Sequence, residues 1–213
     1  MDPPDEGAAM RLYHHPLSAN SRRAALAAAH LGLPAELIKI DLERGEQRSP
    51  EFLALNPNGM VPVLEDNGFI LTESHAIMLY LADKSRGHAA YPEDARARAD
   101  INRWVFWNAQ HFQPTVSIFV WENLIKGMIG QGAADPAQIR RGEDLLERYA
   151  PVLDEHLAAR RWVCGDSVTL ADLALGATLL AAAPANVPLA PYGHLLAWFA
   201  RVQALEAWKE TAS

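Results

Sequence analysis

Apolar positions change their spacing near residue 85, and the chain divides there. Before that point short apolar segments alternate with turn residues. Met10-Arg11-Leu12-Tyr13-His14 reads as a strand, followed by a loop, His15 to Ala19, that contains Pro16. An alanine-rich helix runs from about Arg22 to Leu31, capped by Asn20 or Ser21 and closed by Gly32 and Pro34. Glu36-Leu37-Ile38-Lys39-Ile40 has the character of a buried strand, and the helix before it makes the pair of strands a parallel βαβ unit. Ser49-Pro50-Glu51 opens a short helix with proline in its first turn. Val61–Glu65 and Phe69–Leu71 flank Asp66-Asn67-Gly68, and Asn-Gly between apolar segments is a strong hairpin signal. From Glu73 to about Asp83, Ile77, Met78, Tyr80 and Leu81 recur at helical spacing.

Residues 10–84 therefore read β-α-β-α-β-β-α, a small mixed sheet covered by helices. Ser85 to Pro92 is a Gly- and Pro-containing linker. Beyond it the pattern is helical throughout: Glu93 to about Gly130 with Pro114 as its kink site, Pro136 to about Arg160, Ser167 to Ala183, Tyr192 to Val202, and a short segment near Trp208. No strand is expected after Leu71. The expected architecture is an α/β domain over 10–84, a linker over 85–92 and an all-α domain over 93–213, with residues 1–9 as a disordered leader.

Composition narrows the partners. The chain has 213 residues, half of them hydrophobic, which suffices for one large or two small cores. A formal net charge of −7 argues against nucleic acid or an anionic membrane as the main partner. The single cysteine, Cys164, excludes an internal disulfide, a CxxC redox pair and a cysteine-rich zinc site, and it fits a reducing cytoplasm. No apolar run is long enough to span a bilayer, and no charged-then-apolar leader opens the chain. The eight histidines show no metal-ligand spacing, and His14-His15 is too short to coordinate anything alone. No metal is expected.

Two stretches carry chemistry. Asn56-Pro57-Asn58-Gly59-Met60-Val61-Pro62-Val63-Leu64 is a turn feeding a strand interrupted by proline, which marks a sheet edge or a bend. An X-Pro bond is where a cis peptide costs least, and Val61 in that geometry can offer its N–H and C=O to an extended peptide. In Thr72-Glu73-Ser74-His75-Ala76-Ile77 a helix begins, and a helix N-terminus favours an anion. Either stretch alone reads as ordinary structure. Together they imply a small anionic peptide as ligand.

These two motifs, with the α/β half followed by a helical half, resemble the cytosolic glutathione transferases, serine-type, bacterial and theta-like members in particular. The resemblance implies a thioredoxin-like first domain and a cis Val61–Pro62 bond. It gives Val61 a backbone pairing with the cysteinyl unit of glutathione, and Glu73 and Ser74 the γ-glutamyl end. Gln47 matches a position that contacts the glycyl end, with Arg48 able to pair with that carboxylate. Thr169 and Asp172 match a capping box that starts a buried helix and serves folding. The resemblance also implies a homodimer.

The chemistry such an enzyme needs is a glutathione thiolate. A free thiol has a pKa of about 8.5 and is only slightly ionised near neutrality, so a hydroxyl or N–H must be aimed at the sulfur. The loop before the first helix supplies candidates. The resemblance points to Ser18 as the catalytic hydroxyl; Asn20 is the rival donor and Tyr13 a third, while an ordinary capping serine or asparagine is the plain alternative. Arg22 would add positive potential, and His75 follows Ser74 where some relatives carry a basic residue. Trp104, Asn108, His111 and Thr115 share a helical face, with Phe112 beside them, and Trp107, Phe119 and Trp121 add aromatic surface. Each aromatic alone is better explained as core; collectively they suggest an apolar electrophile site. The functional expectation is conjugation of glutathione to small hydrophobic electrophiles. Open alternatives are a glutathione-dependent isomerase or dehalogenase on the same site, or a related binding module without catalysis.

Overall fold

The computed structural model describes residues 10–211, so the expected leader over 1–9 lies outside the described residues. Four strands, β1 (Met10–His14), β2 (Ala35–Lys39), β3 (Val63–Asp66) and β4 (Phe69–Leu71), form one sheet in the order β2-β1-β3-β4. β1 and β2 are parallel, with Met10 opposite Ala35, as the βαβ reading requires. β3 runs antiparallel to β1, with Tyr13 opposite Val63, and pairs with β4 across the Asn67-Gly68 hairpin. Alternation along the strands divides the side chains between two faces. Leu12 and Leu64 join the main core, whereas Val63 and Tyr13 pack with Ile40, Phe52 and Val61 on the other side.

Helices α1 (Ala19–His30), α2 (Pro50–Leu55) and α3 (Ser74–Lys84) complete this half. α1 begins earlier than its sequence suggests. Ser18 is the N-cap and its hydroxyl accepts from the Ser21 N–H, while the Ser21 hydroxyl accepts from the His15 N–H. Neither Asn20 nor Ser21 caps the helix. β2 is also not a buried strand. It lies at the sheet edge with Leu37 44% exposed, and of the expected run only Ile40, just past its end, is buried. Pro62 precedes β3, where it removes no ladder bond, and β3 sits inside the sheet. The Val61–Pro62 peptide is cis.

After the linker the chain is helical: α4 (Ala95–Trp107), α5 (Gln113–Val120), α6 (Lys126–Met128), α7 (Pro136–Leu157), α8 (Leu170–Thr178), α9 (Gly193–Gln203) and α10 (Glu206–Glu210). The long helix expected from Glu93 is the α4–α6 run, interrupted by π-helical turns at Asn108–Phe112 and Trp121–Ile125. Pro114 sits in the first turn after the first of these. A proline leaves a carbonyl one turn earlier without its partner, and a widened turn is one way to absorb that.

α1 is the joint between the halves. Its buried alanines, Ala24, Ala25, Ala27 and Ala28, let it pack between the sheet side and the fully buried α8. α8 is started by the expected capping box of Thr169 and Asp172. Because α1 touches both halves, a long side chain on it can bond to each.

Candidate active site

The loop His15–Arg22 is closed by its own hydrogen bonds. The Ser18 N–H donates to the His15 carbonyl at 3.0 Å, and the Arg22 N–H to the Ser18 carbonyl at 2.8 Å. The Leu17 N–H reaches His15 Nδ1 at 3.3 Å. Ser18 Oγ accepts from the Ser21 N–H at 3.2 Å, so one lone pair is used and the hydroxyl proton remains to be donated. Ser18 stands half-buried at the positive end of α1.

A cavity of about 250 Å³ opens where α1, α3 and the α4–α5 run meet, lined by Asn20, Glu73, Ser74, His75, Ala109, Gln113, Pro114 and Ser117. It brings together three of the residues expected from sequence: Asn20, Glu73 and Ser74. Ser74 is the first residue of α3 and is buried. Glu73 is exposed, has a positive φ of 67° and makes no side-chain cap. A non-glycine residue held in that region marks a place to look for function.

Behind the wall lies Arg23, which the sequence reading passed over. It is 0% exposed. Nη1 donates to Asn20 Oδ1 at 2.7 Å and to Ser74 Oγ at 2.8 Å. Nη2 donates to Gln113 Oε1 at 2.9 Å and Thr178 Oγ1 at 3.0 Å, and the Ala174 carbonyl completes the set. Gln113 Nε2 also donates to Asn20 Oδ1 at 2.7 Å. Burial pulls the guanidinium down to about 9, and burial together with Arg23 pushes His75 down to about 3. His75 is thus neutral. Asn108 Oδ1 accepts from the Thr178 hydroxyl at 3.0 Å, and its Nδ2 lies 3.3 Å from His75 Nε2.

The second motif region is held by Asn56. Its Nδ2 donates to the Met60 carbonyl at 2.7 Å and its Oδ1 accepts from the Asn58 N–H at 3.1 Å, which shapes the turn before Val61. Gly59 has φ +60°, and a Cβ there would stand 2.9 Å from the Gln47 carbonyl. That close approach ties the turn to the Gln47 loop. Gln47 is half-buried with Oε1 sealed from solvent and unbonded among the described residues. Gln47, Val61, Pro62 and Ser18 lie outside the walls of the cavity itself.

Several expectations change. The Tyr13 phenol donates to Glu65 at 2.9 Å, and burial followed by that bond raises its pKa, so its proton is already engaged. Arg22 turns away from the cavity, donating to the Trp208 and Thr211 carbonyls and stacking on the Trp208 ring. The helical face proposed for the electrophile points inward. Trp104 is 2% and Phe112 0% exposed, both within the main core. Asn108 and Thr115 are buried as well, and His111 stacks on Tyr149. The face at the cavity is the next one round, Ala109–Gln113–Ser117. One residue is about 100° of helix, and a π turn shifts the phase further, so spacing alone could not fix which face is which.

Comparisons with known proteins agree with this architecture. The family model described as glutathione S-transferase, N-terminal domain, matches residues 8–83, and that of the C-terminal domain matches residues 136–201. Glutathione S-transferase 3 of Zea mays is 36% identical over 212 residues, covering 97% of this chain and 94% of its own. The chain belongs to the glutathione S-transferase family. Glutathione S-transferase theta-2 of Rattus norvegicus is 32% identical over 206 residues, covering 92% of this chain and 81% of its own. The solved structure of a glutathione S-transferase-I bound with lactoylglutathione superposes with a TM-score of 0.86 at 28% identity, covering 96% and 99% of the two chains. The mixed four-stranded sheet is accordingly the thioredoxin-like domain of a glutathione S-transferase, and the helices are its C-terminal domain. Among the described residues no helix is long and apolar enough to cross a membrane. No cluster of three or more His, Cys, Asp or Glu side chains among them could hold a metal ion.

Proposed function

We propose that this glutathione S-transferase is a serine-type enzyme that adds the sulfur of glutathione to small hydrophobic electrophiles. The observation that carries the assignment is the state of Ser18. Its oxygen is fixed by the Ser21 N–H, and its proton is left to donate at the start of a helix. A charge-assisted O–H···S⁻ bond and the helix terminus both favour the thiolate. Lowering a thiol from about 8.5 to near 7 needs roughly 2 kcal/mol of preference for the charged form, within the reach of those two effects. The thiolate attacks the electrophilic carbon, the C–S bond forms, and the leaving group departs with the electron pair of its own bond.

The glutamyl head is assigned to the cavity of Asn20, Glu73 and Ser74, the cysteinyl backbone to Val61, and the glycyl end to Gln47. Leu17 and Met60 are exposed and adjacent in sequence to Ser18 and Val61. They offer apolar surface for the electrophile next to the residues that would hold the sulfur. Asn20 has its oxygen committed to Arg23 and Gln113, which favours a binding role over thiol activation. A homodimer in the cytoplasm is the expected working form; elution as a monomer at micromolar concentration counts against it. Calorimetry with glutathione is the first test. Wild type should bind it, and absence of binding at millimolar glutathione overturns the proposal.

A further inference from the structure

Arg23 is a buried cation whose hydrogen-bond acceptors are all neutral: an amide oxygen each from Asn20 and Gln113, a hydroxyl each from Ser74 and Thr178, and the Ala174 carbonyl. None of the ion pairs among the described residues involves it. Its hydrogen bonds are satisfied, but its charge is not. A sealed charge without an opposite one is among the costliest things a fold can hold. Three of its acceptors, Asn20, Ser74 and Gln113, form part of the cavity wall. The positive charge therefore lies one residue layer behind that wall, and Glu73 presents a carboxylate at the same cavity. This pattern complements an α-amino-acid head group, with its carboxylate toward Ser74 and its ammonium toward Glu73.

We propose that the free α-carboxylate of the glutamyl head is the counter-ion that Arg23 lacks, and that Gln113 keeps that place open by meeting Arg23 with a neutral amide where an acid would pair with it. The inference rests on the glutathione assignment above. Ser74 is the relay. Its oxygen accepts from Arg23 at 2.8 Å, and its own proton makes only a long bond, 3.5 Å, to Asn20 Oδ1, so it can turn to an acceptor in the cavity with the guanidinium charge behind it. Gln113 reaches this position from just beyond the π-helical turn at Asn108–Phe112. Widened turns of this kind recur at functional sites. The neutral state of His75, favoured by burial and by Arg23, fits a pocket already rich in positive potential. Arg23 and Gln113 are positioning residues here: Arg23 acts through Ser74 and Asn20 and does not touch the ligand.

The test compares glutathione with γ-aminobutyryl-cysteinyl-glycine, which lacks only the glutamyl α-carboxylate. Binding is measured by calorimetry, and melting with and without each ligand, for wild type, Gln113→Glu and Gln113→Met. Wild type should prefer glutathione by roughly tenfold or more. Gln113→Glu supplies the counter-ion internally. It should melt no lower than wild type, bind glutathione at least about tenfold more weakly, bind the analogue nearly as before, and gain less in melting temperature from glutathione. Gln113→Met, which adds no charge, should keep the preference for glutathione over the analogue. If Gln113→Glu keeps the wild-type preference, or melts far below wild type, the inference fails. Equal wild-type binding of the two ligands overturns the inference and leaves the proposed function standing. No wild-type binding of glutathione at all overturns both.

Discussion

Asp172 and Arg23 are both sealed from solvent, yet their surroundings differ in kind. Asp172 has four donors. Its Oδ1 accepts from the Val163 N–H and the Trp198 indole, and its Oδ2 from the Thr169 N–H and hydroxyl. Burial still pushes its pKa up, with the four bonds pulling the other way. The cavity beside Asn20 and Ser74 does not reach it. Arg23 has five acceptors but none that can exchange charge for charge, and it stands behind a cavity. The carboxylate is closed on itself and holds the turn before α8. The guanidinium is complete in hydrogen bonds and open in charge, which is how a site waiting for an anion differs from a structural plug.

The most damaging way to probe the closed side is Asp172→Ala. It leaves buried donors from Val163, Thr169 and Trp198 without an acceptor at once. The expected loss is about 3–5 kcal/mol in a denaturant titration, while any protein that remains folded should bind glutathione as wild type does. A loss below about 1 kcal/mol would put Asp172 in the same class as a surface charge.

On the open side, Ser18→Ala should cost about 10²–10³ in kcat/KM with a generic aryl halide. It should also return the thiol of bound glutathione toward about 8.5, read from thiolate absorbance against pH. Loss of the helix cap adds about 1 kcal/mol of instability, so binding must be checked on folded protein. Asn20→Ala is expected to act on KM, because Asn20 belongs to the cavity wall and the Arg23 cluster. The reverse pattern, a shifted thiol with Asn20→Ala and none with Ser18→Ala, would exchange the two roles.

Much of this was readable from residues alone. The β-α-β-α-β-β-α order follows from period-2 and period-3.6 spacing with Asn67-Gly68 and Ser49-Pro50 as punctuation, and Asp172 was found because a capping box has a local signature. Arg23 has no such signature. In sequence it is one of two adjacent arginines, and only the fold decides that Arg22 turns to the C-terminal helix and Arg23 to α8. Gln113 was hidden for the same reason. Its bond to Asn20 joins residues far apart in the chain, and the π turn before it displaces the phase on which face assignments depend. β2 misled because it is an edge strand, where Leu37 is exposed and Ile38 only half-buried although both are apolar.

Acid should weaken the fold through three histidines of the α/β half. His75 is held down to about 3, and His14 and His30 are also lowered by burial. In the unfolded chain each titrates at its ordinary 6.5. Below that pH the unfolded state takes up protons that the folded state resists, so their stabilisation is present above 6.5 and is lost as pH falls. For His75 the loss continues toward about 3, with a slope approaching about 1.4 kcal/mol per pH unit. Urea titrations at pH 7, 6 and 5 should show the decline. Stability that is flat or rising over that range would contradict it.

The smallest change is the most diagnostic for the comparison. Trp198→Phe removes one donor from Asp172 and keeps the packing of a large ring, at a cost of about 1 kcal/mol. Thr178→Val removes one acceptor from Arg23 and, with it, the donor that fixes Asn108. Its cost should be similar or slightly larger. The two should differ in what glutathione does. A closed charge has no use for ligand, so Trp198→Phe should leave the ligand-induced rise in melting temperature as it is in wild type. An open one depends on the bound carboxylate more as its protein partners are removed. Glutathione should then recover part of the stability lost in Thr178→Val. Equal ligand-induced shifts in the two variants would mean that Arg23 is as closed as Asp172, and that the distinction drawn between them is one of position alone.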